Sequence, residues 1–338
     1  MSSFTLWMAL PDWRHSQMSF PSDLEIARGM TATVIDGRKV ADGLRSRIVK
    51  EVAVARDAGI TPGLATVLVG DDYATSVYER RLRQLAEVVG CRYAAERLPA
   101  DVDAADARAT VGKLNADPRI SGILIMRPLP PHIPEVDLYR ILDPAKDIEA
   151  VHAVNAGLLA QGSPRFVPST PAACFYLLDW YCQSVGRERS TFYDGKTVVI
   201  VGRSNNVGKL ALWLALERNA TVVSCDKHTA DAGMLAHFTR QADILIVAAG
   251  VPSLVTGDMV KDGVIAVDVG INAVNNPTTG RTQLVGDIDT VEVAKRAEAV
   301  TPVPGGVGPL TDVWLVHNAV RAATALHPHL PHSPWLTP

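Results

Sequence analysis

The sequence predicts an α/β protein of two domains. Three observations carry that expectation. Short β-branched runs alternate with amphipathic helical stretches, the pattern of parallel βαβ units. The alternation comes in two series, and residues 143–171 between them are rich in Pro, Gly, Asn and Ser. A length of 338 residues fits two domains of ordinary size.

The elements follow in order. After Asp36-Gly37, the apolar Val40, Leu44, Ile48 and Val52 recur every four residues, one face of a helix. Residues 64–69 form a β-branched run ending at Gly70 and read as a buried strand. Residues 74–89 read as a helix, with Val77, Leu82, Leu85 and Val89 on overlapping faces. Residues 122–126 give the next strand, closed by the turn Arg127-Pro-Leu-Pro-Pro131. Residues 143–171 are expected to be a linker and a domain boundary. In the second series, strands are expected at 197–201, 220–224, 243–248 and 264–268, with helices between them. Residues 301–311 read as a Pro/Gly loop, and a last helix as running from about 312 to 326. Residues 1–29 read as an extension before a domain start at Met30. Phe4 to Leu10 is apolar, but no basic stretch precedes it, so a signal peptide is not expected. Trp7 and Trp13 suit this extension to docking. The His/Pro-rich tail 327–338 is expected to be loosely ordered.

Composition excludes several classes. A hydrophobic share of 47% supports a sizeable core. The net charge of −3, without a long charged run, argues against a nucleic-acid partner. The longest apolar runs are too short to span a bilayer. Cys91, Cys174, Cys182 and Cys225 are scattered, with no Cys-x-x-Cys pair and no clustered His. No metal site is expected, and a reduced, cytoplasmic setting is.

One motif points to a cofactor. The strand 197–201 runs into Gly202-Arg-Ser-Asn-Asn-Val-Gly208 and then into a helical stretch from Lys209. Glycine lets a backbone approach a pyrophosphate, and a helix N-terminus offers it free N–H groups. The spacing differs from Gly-x-Gly-x-x-Gly, so the loop alone is weak evidence and leaves an ordinary βα turn open as the lesser reading. The next strand ends at Asp226, Lys227 and His228. An acid there favours the 2′-hydroxyl of NAD. Arg203, Lys227 and His228 could instead hold the phosphate of NADP. The choice between NAD and NADP stays open, as does a plain strand-end role for Asp226.

Seven segments, in this order, resemble the bacterial methylenetetrahydrofolate dehydrogenase/cyclohydrolase family. They are Ala74-Thr-Ser-Val-Tyr78, Gly122-Ile-Leu-Ile-Met-Arg-Pro-Leu-Pro130, Pro144-Ala-Lys-Asp-Ile-Glu149, Pro168-Ser-Thr-Pro171, the loop 202–208, Asp268-Val-Gly-Ile-Asn272 and Pro304-Gly-Gly-Val-Gly-Pro-Leu-Thr311. The resemblance covers residues 31–325. It implies a folate-binding domain over 30–165, completed by 300–330, and a Rossmann-like NAD(P)-binding domain over 166–299. It also implies a homodimer. Tyr78 matches the tyrosine lying against the folate rings, and Pro304, Gly305 and Gly306 match the folate-site loop. Gly202, Arg203, Ser204, Val207 and Gly208 match the cofactor loop, and Ile271 matches a residue on the nicotinamide side.

The sequence departs from the family where it matters chemically. The family places a lysine four residues after the tyrosine; here that position is Leu82. The family's glutamine before Pro-Leu-Pro is Met126, which also suits plain core packing. The second aspartate of its Lys-Asp-x-Asp-Gly pattern is Glu149, followed by Ala150 in place of glycine. Glu149 keeps a carboxylate where the family binds the pterin edge, or it simply caps a loop. Dehydrogenation asks the site mainly for orientation and exclusion of water. Hydrolysis of the methenyl product must manage protons and needs a tunable acid/base. The resemblance assigns that to the missing lysine and glutamine. The expected activity is therefore oxidation of 5,10-methylenetetrahydrofolate with NAD(P)+, with hydrolysis lost or weak. Tyr78 and Glu149 are the expected catalytic residues, and Leu82, Met126 and Pro304 to Gly306 line the substrate. Three alternatives stand beside it: a bifunctional enzyme using Arg81 or water, a non-catalytic folate- or nucleotide-binding regulator, and a related dehydrogenase for a modified one-carbon substrate.

Overall fold

The computed structural model describes residues 32–275 and 282–326. The expectations for residues 1–29, Trp7 and Trp13 included, and for 327–338 lie outside the described residues. The chain enters through β1 (Thr33–Val34) and α1 (Gly37–Asp57). Asp36 caps α1 by accepting the N–H groups of Arg38 and Lys39. Val40, Leu44, Ile48 and Val52 are buried, as their spacing predicts.

The first series builds a parallel sheet of β2 (Gly63–Val69), β3 (Arg92–Leu98) and β4 (Gly122–Ile125), in the order β3-β2-β4. All of β2 is buried, as befits a central parallel strand covered on both faces. Between the strands run α2 (Tyr73–Val89) and α3 (Ala104–Ala116), and α4 (Glu135–Ile141) follows β4. The sequence did not announce β3. It is an edge strand with Arg92, Glu96 and Arg97 exposed, so its apolar signal is broken.

The expected linker 143–171 consists mostly of turns and loops with one short helix. It contains α5 (Ala153–Ala160) and opens α6 (Ser169–Ser184). Some of its polar residues serve as buried supports. Asn155 donates to the Pro144 carbonyl and the Asp147 carboxylate. Pro168 and Pro171 stand at the start of α6, where a missing N–H costs little.

The second series forms a six-stranded parallel sheet in the order β1-β11-β8-β7-β5-β6. Its strands include β5 (Thr197–Val201), β6 (Thr221–Cys225), β7 (Ile244–Val247) and β8 (Ile265–Asp268). Helices α7 (Gly208–Leu216), α8 (Lys227–Asp231) and α9 (Leu235–Thr239) connect them. An antiparallel hairpin of β9 (Asn272–Asn275) and β10 (Thr282–Val285) follows, then α10 (Thr290–Ala294) and β11 (Ala299–Val300). β1 pairs with β11, so residues 33–34 extend the sheet of the second series.

The last helix, α11 (Val307–Ala325), starts at Val307 and not near Asp312. Pro309 sits in its first turn, which tolerates a residue without N–H. α11 crosses back onto the first series, where Ser121 Oγ donates to the Ala319 carbonyl at 2.9 Å. A Cβ on Gly122 would lie 2.7 Å from Ile148 Cγ2 and 3.0 Å from Ala319 Cβ, so only glycine lets the helix approach β4 this closely. Among the described residues no helix is long and apolar enough to cross a membrane, and no group of His, Cys, Asp and Glu could hold a metal.

Candidate active site

The first cluster gathers at the carboxyl ends of β2 and β4. The chain leaves β2 through Gly70, at φ +83°, and Asp72 caps α2 by accepting from Thr75 N–H at 2.7 Å. Thr75 Oγ1 in turn donates to the Arg127 carbonyl after β4. This ties the helix carrying Tyr78 to the segment after β4 that carries Met126. Tyr78 is 7% exposed. Leu82, one turn on, is fully buried in one core with Leu64, Leu68, Leu124 and Met126. Met126 donates its N–H to the Val67 carbonyl.

Arg81 lies over the Tyr78 ring, 5.6 Å from its centroid, and is ion-paired with Asp312 of α11. Burial pushes the Tyr78 hydroxyl well above its usual range, and the Asp312 and Glu149 carboxylates add to this against the pull of Arg81. Tyr78 therefore stays protonated and cannot act as a base near neutrality. Burial also raises Asp312, opposed by Arg81.

The segment 146–149 divides its labour. Lys146 Nζ donates to the carbonyls of Leu114, Asn115 and Asp117, closing the end of α3. Asp147 accepts from Val151 N–H, His152 N–H and Asn155 Nδ2. Ile123 pairs with Asp147 as an extra parallel bridge beside β4. These contacts present Glu149, which accepts Ser169 N–H and Ser169 Oγ, each at 3.0 Å. Burial pushes Glu149 up to about 7, while the two Ser169 donors hold it down. Asn318 of α11 fixes both neighbouring segments, donating to the Ile148 and Val167 carbonyls at 2.8 Å each. Pro304 and Gly305 are half-buried. A Cβ on Gly37 would lie 1.7 Å from the Gly306 carbonyl oxygen, so the start of α1 packs directly on this loop.

The second cluster is the loop between β5 and α7. Gly202 has φ +112°, and a Cβ there would lie 2.1 Å from the Ala248 carbonyl oxygen. A Cβ on Gly208 would lie 2.0 Å from the Gly202 carbonyl oxygen. Two glycines thus create a backbone cradle at a helix N-terminus, which fits a dinucleotide pyrophosphate. Ser204 Oγ accepts from Val207 N–H and shapes the turn. Arg203 reaches the end of β6, donating to Ser224 Oγ, the Ser224 carbonyl and Asp226 Oδ2, the last at 3.0 Å. Asp226 Oδ1 caps α8 through Thr229 N–H, and the Thr229 backbone donor is the main force lowering this carboxyl. Lys227 and His228 are exposed, and Lys227 pairs with Asp231. The structure therefore brings Arg203 and Asp226 together and leaves Lys227 and His228 outside that pair. Ile271, 8% exposed, follows β8 between Gly270 and Asn272.

Sequence reasoning missed Asp312, Asn318, Ser169, Asp268 and Asp287 as supports. A lone acid in an otherwise apolar helix was the available signal for Asp312. A separate cavity of about 270 Å³, lined by Phe175, Tyr176, Arg218 and Trp314 among others, contains none of the site residues. Its Arg189 and Arg218 are both paired with Asp179.

The fold and the loop together define a class: an α/β oxidoreductase that binds a nicotinamide dinucleotide. Residues 35–149 match the family described as tetrahydrofolate dehydrogenase/cyclohydrolase, catalytic domain, and residues 168–327 match its NAD(P)-binding domain. The chain belongs to the tetrahydrofolate dehydrogenase/cyclohydrolase family. A relative named bifunctional protein FolD 3, from Rubrobacter xylanophilus, is 60% identical over 298 residues, covering 88% of this chain and 94% of its own. The bifunctional FolD structure from Campylobacter jejuni superposes with a TM-score of 0.80 at 36% identity, over 87% of this chain and 99% of that one. The Trypanosoma brucei FolD structure, complexed with NADP and an inhibitor, gives 0.79 at 34%, over 87% and 98%. The chain is accordingly an oxidoreductase of one-carbon metabolism, a methylenetetrahydrofolate dehydrogenase using NAD(P)+.

Proposed function

We propose that this enzyme runs the dehydrogenase half of the family's paired chemistry and releases methenyltetrahydrofolate with little hydrolysis. One observation carries this reading: Leu82, one turn from Tyr78, is fully buried in an apolar core that also takes in Met126. Neither side chain can carry a proton. Arg81, the cation over the Tyr78 ring, is committed to Asp312. A guanidinium does not give up its proton in a protein, so it cannot replace a lysine in that role.

The other residues suit orientation. Tyr78 offers a protonated ring face beside Arg81. Glu149, positioned by Ser169 and Asn318, offers a carboxylate to pterin N–H donors. Pro304 to Gly306 close the site over the start of α1. Gly202 to Gly208 cradle the pyrophosphate, and Ile271 borders the nicotinamide. The bound nicotinamide supplies a hydride acceptor, and the residues named here set the substrate against it and exclude water.

NAD is the cofactor favoured. A 2′-phosphate would meet Asp226 and would have to draw Arg203 away from it. A homodimer and a cytoplasmic location belong to the same proposal; the four cysteines are free and buried, which suits a reducing compartment. The bifunctional names of the relatives favour a second reading, in which hydrolysis persists through a water network. The experiment is to add methenyltetrahydrofolate to purified protein and follow its conversion to the formyl form. Conversion at the buffer rate supports the proposal, and rapid enzyme-dependent conversion supports the second reading.

A further inference from the structure

We propose that Asp287 and Asp268 are positioning residues that hold the nicotinamide-side rim and the folate loop in one register. The inference rests on the reading of Ile271 as a nicotinamide neighbour. It concerns how that wall is held, which no motif matched above addresses.

The contacts form a continuous brace. Asp287, fully buried, takes three successive backbone donors from the loop after β7. Its Oδ2 accepts Ala249 N–H at 2.6 Å and Gly250 N–H at 2.8 Å, and its Oδ1 accepts Val251 N–H at 2.9 Å. Oδ1 also accepts Asn272 Nδ2 at 2.8 Å, next to Ile271. Asp268, 1% exposed, accepts Gly270 N–H and Asp287 N–H on Oδ1 and Ile288 N–H on Oδ2. Its own N–H donates to Thr301 Oγ1 at 2.8 Å. A Cβ on Gly306 would lie 2.8 Å from Thr301 Cβ, so Thr301 abuts the folate loop directly. At the other end, the Ala248 carbonyl lies against Gly202 of the cofactor cradle.

The surroundings are built for these two carboxylates. A Cβ on Gly270 would lie 2.1 Å from the Asp287 carboxyl carbon, and one on Gly286 would lie 1.9 Å from Asp268 Oδ2. Two neighbouring buried acids are costly to keep, since burial and the Asp287 charge push Asp268 up to about 8. What a carboxylate adds is a fixed geometry across three segments that meet where the two ligands meet.

The test is Asp287→Asn in the full chain, which keeps size and turns an NH2 toward N–H donors. Hydrogen exchange in the cofactor-free protein should show the amides of 249–251 losing protection by about tenfold or more, with β5 amides unchanged. The Kd for NAD should rise by about tenfold, with the Kd for tetrahydrofolate nearly constant. Thr301→Val should do the reverse, weakening tetrahydrofolate and sparing NAD. If Asp287→Asn does not fold, Asn272→Ala carries the exchange and NAD readouts, and Thr301→Val carries the tetrahydrofolate one. Unchanged 249–251 exchange and unchanged NAD affinity in a folded Asp287→Asn protein overturn the proposal. Failure of the wild-type protein to bind NAD would instead sink the cofactor reading, while the exchange result would still decide the brace.

Discussion

Leu82 follows Tyr78 by one helical turn on α2, and the two side chains share one buried core. Tyr78 keeps a 7% exposed surface, while Leu82 has none. Leu82 is thus given over to packing. Leu82→Lys alone should destabilise the protein by about 3 kcal/mol, because an ammonium would enter an apolar core. Formyltetrahydrofolate production should stay at the buffer rate, since Met126 in the same core is unchanged. Urea unfolding and the methenyl-to-formyl assay check the two halves of this prediction.

Glu149 should set a pH dependence on the folate side. Its folded-state value of about 7 lies above the ordinary 4.5, with burial as the main cause. Its contribution to stability is therefore whole below about 4.5 and lost as pH rises through about 7. Binding runs the other way, because a pterin N–H is best received by the ionised carboxylate. kcat/KM for methylenetetrahydrofolate should rise with pH through about 7. Glu149→Gln should flatten that rise and lower kcat/KM at pH 8 by about tenfold. A wild-type profile flat between pH 6 and 8 would remove Glu149 from this role.

Asp226 should govern cofactor choice. Asp226→Ser keeps a helix cap for α8 and removes the charge facing Arg203. The ratio of kcat/KM for NADP over NAD should climb by about tenfold or more. A ratio already strongly favouring NADP in the wild type would contradict the cofactor reading.

Ala150 occupies φ +50°, in the left-handed region. A Cβ is strained there. Ala150→Gly should stabilise the protein by about 1 kcal/mol, seen as a higher urea midpoint with an unchanged slope.

Much of this was legible in the sequence, and the exceptions have physical reasons. Buried strands such as β5 and the face of α1 declare themselves because burial on both sides, or on one stripe, leaves a periodic apolar trace. β3 and the β9–β10 hairpin are partly exposed and leave none. Gly202 and Gly208 were readable because backbone approach demands glycine. The partners of the site were not: Ser169 reaches Glu149, Asn318 reaches the Ile148 carbonyl beside it, and Asp312 reaches Arg81, all across long stretches of chain, and no local spacing encodes that. The opposed signals at Arg203 and Asp226 became a single ion pair only in three dimensions.

The central claim is that hydride transfer survives without hydrolysis. The direct measurement follows methylenetetrahydrofolate oxidation by purified wild-type protein with NAD+, recording reduced cofactor, methenyl and formyl products in the same time course. The account predicts methenyltetrahydrofolate accumulating in step with reduced cofactor. Formyltetrahydrofolate appearing as fast as the cofactor is reduced would contradict it.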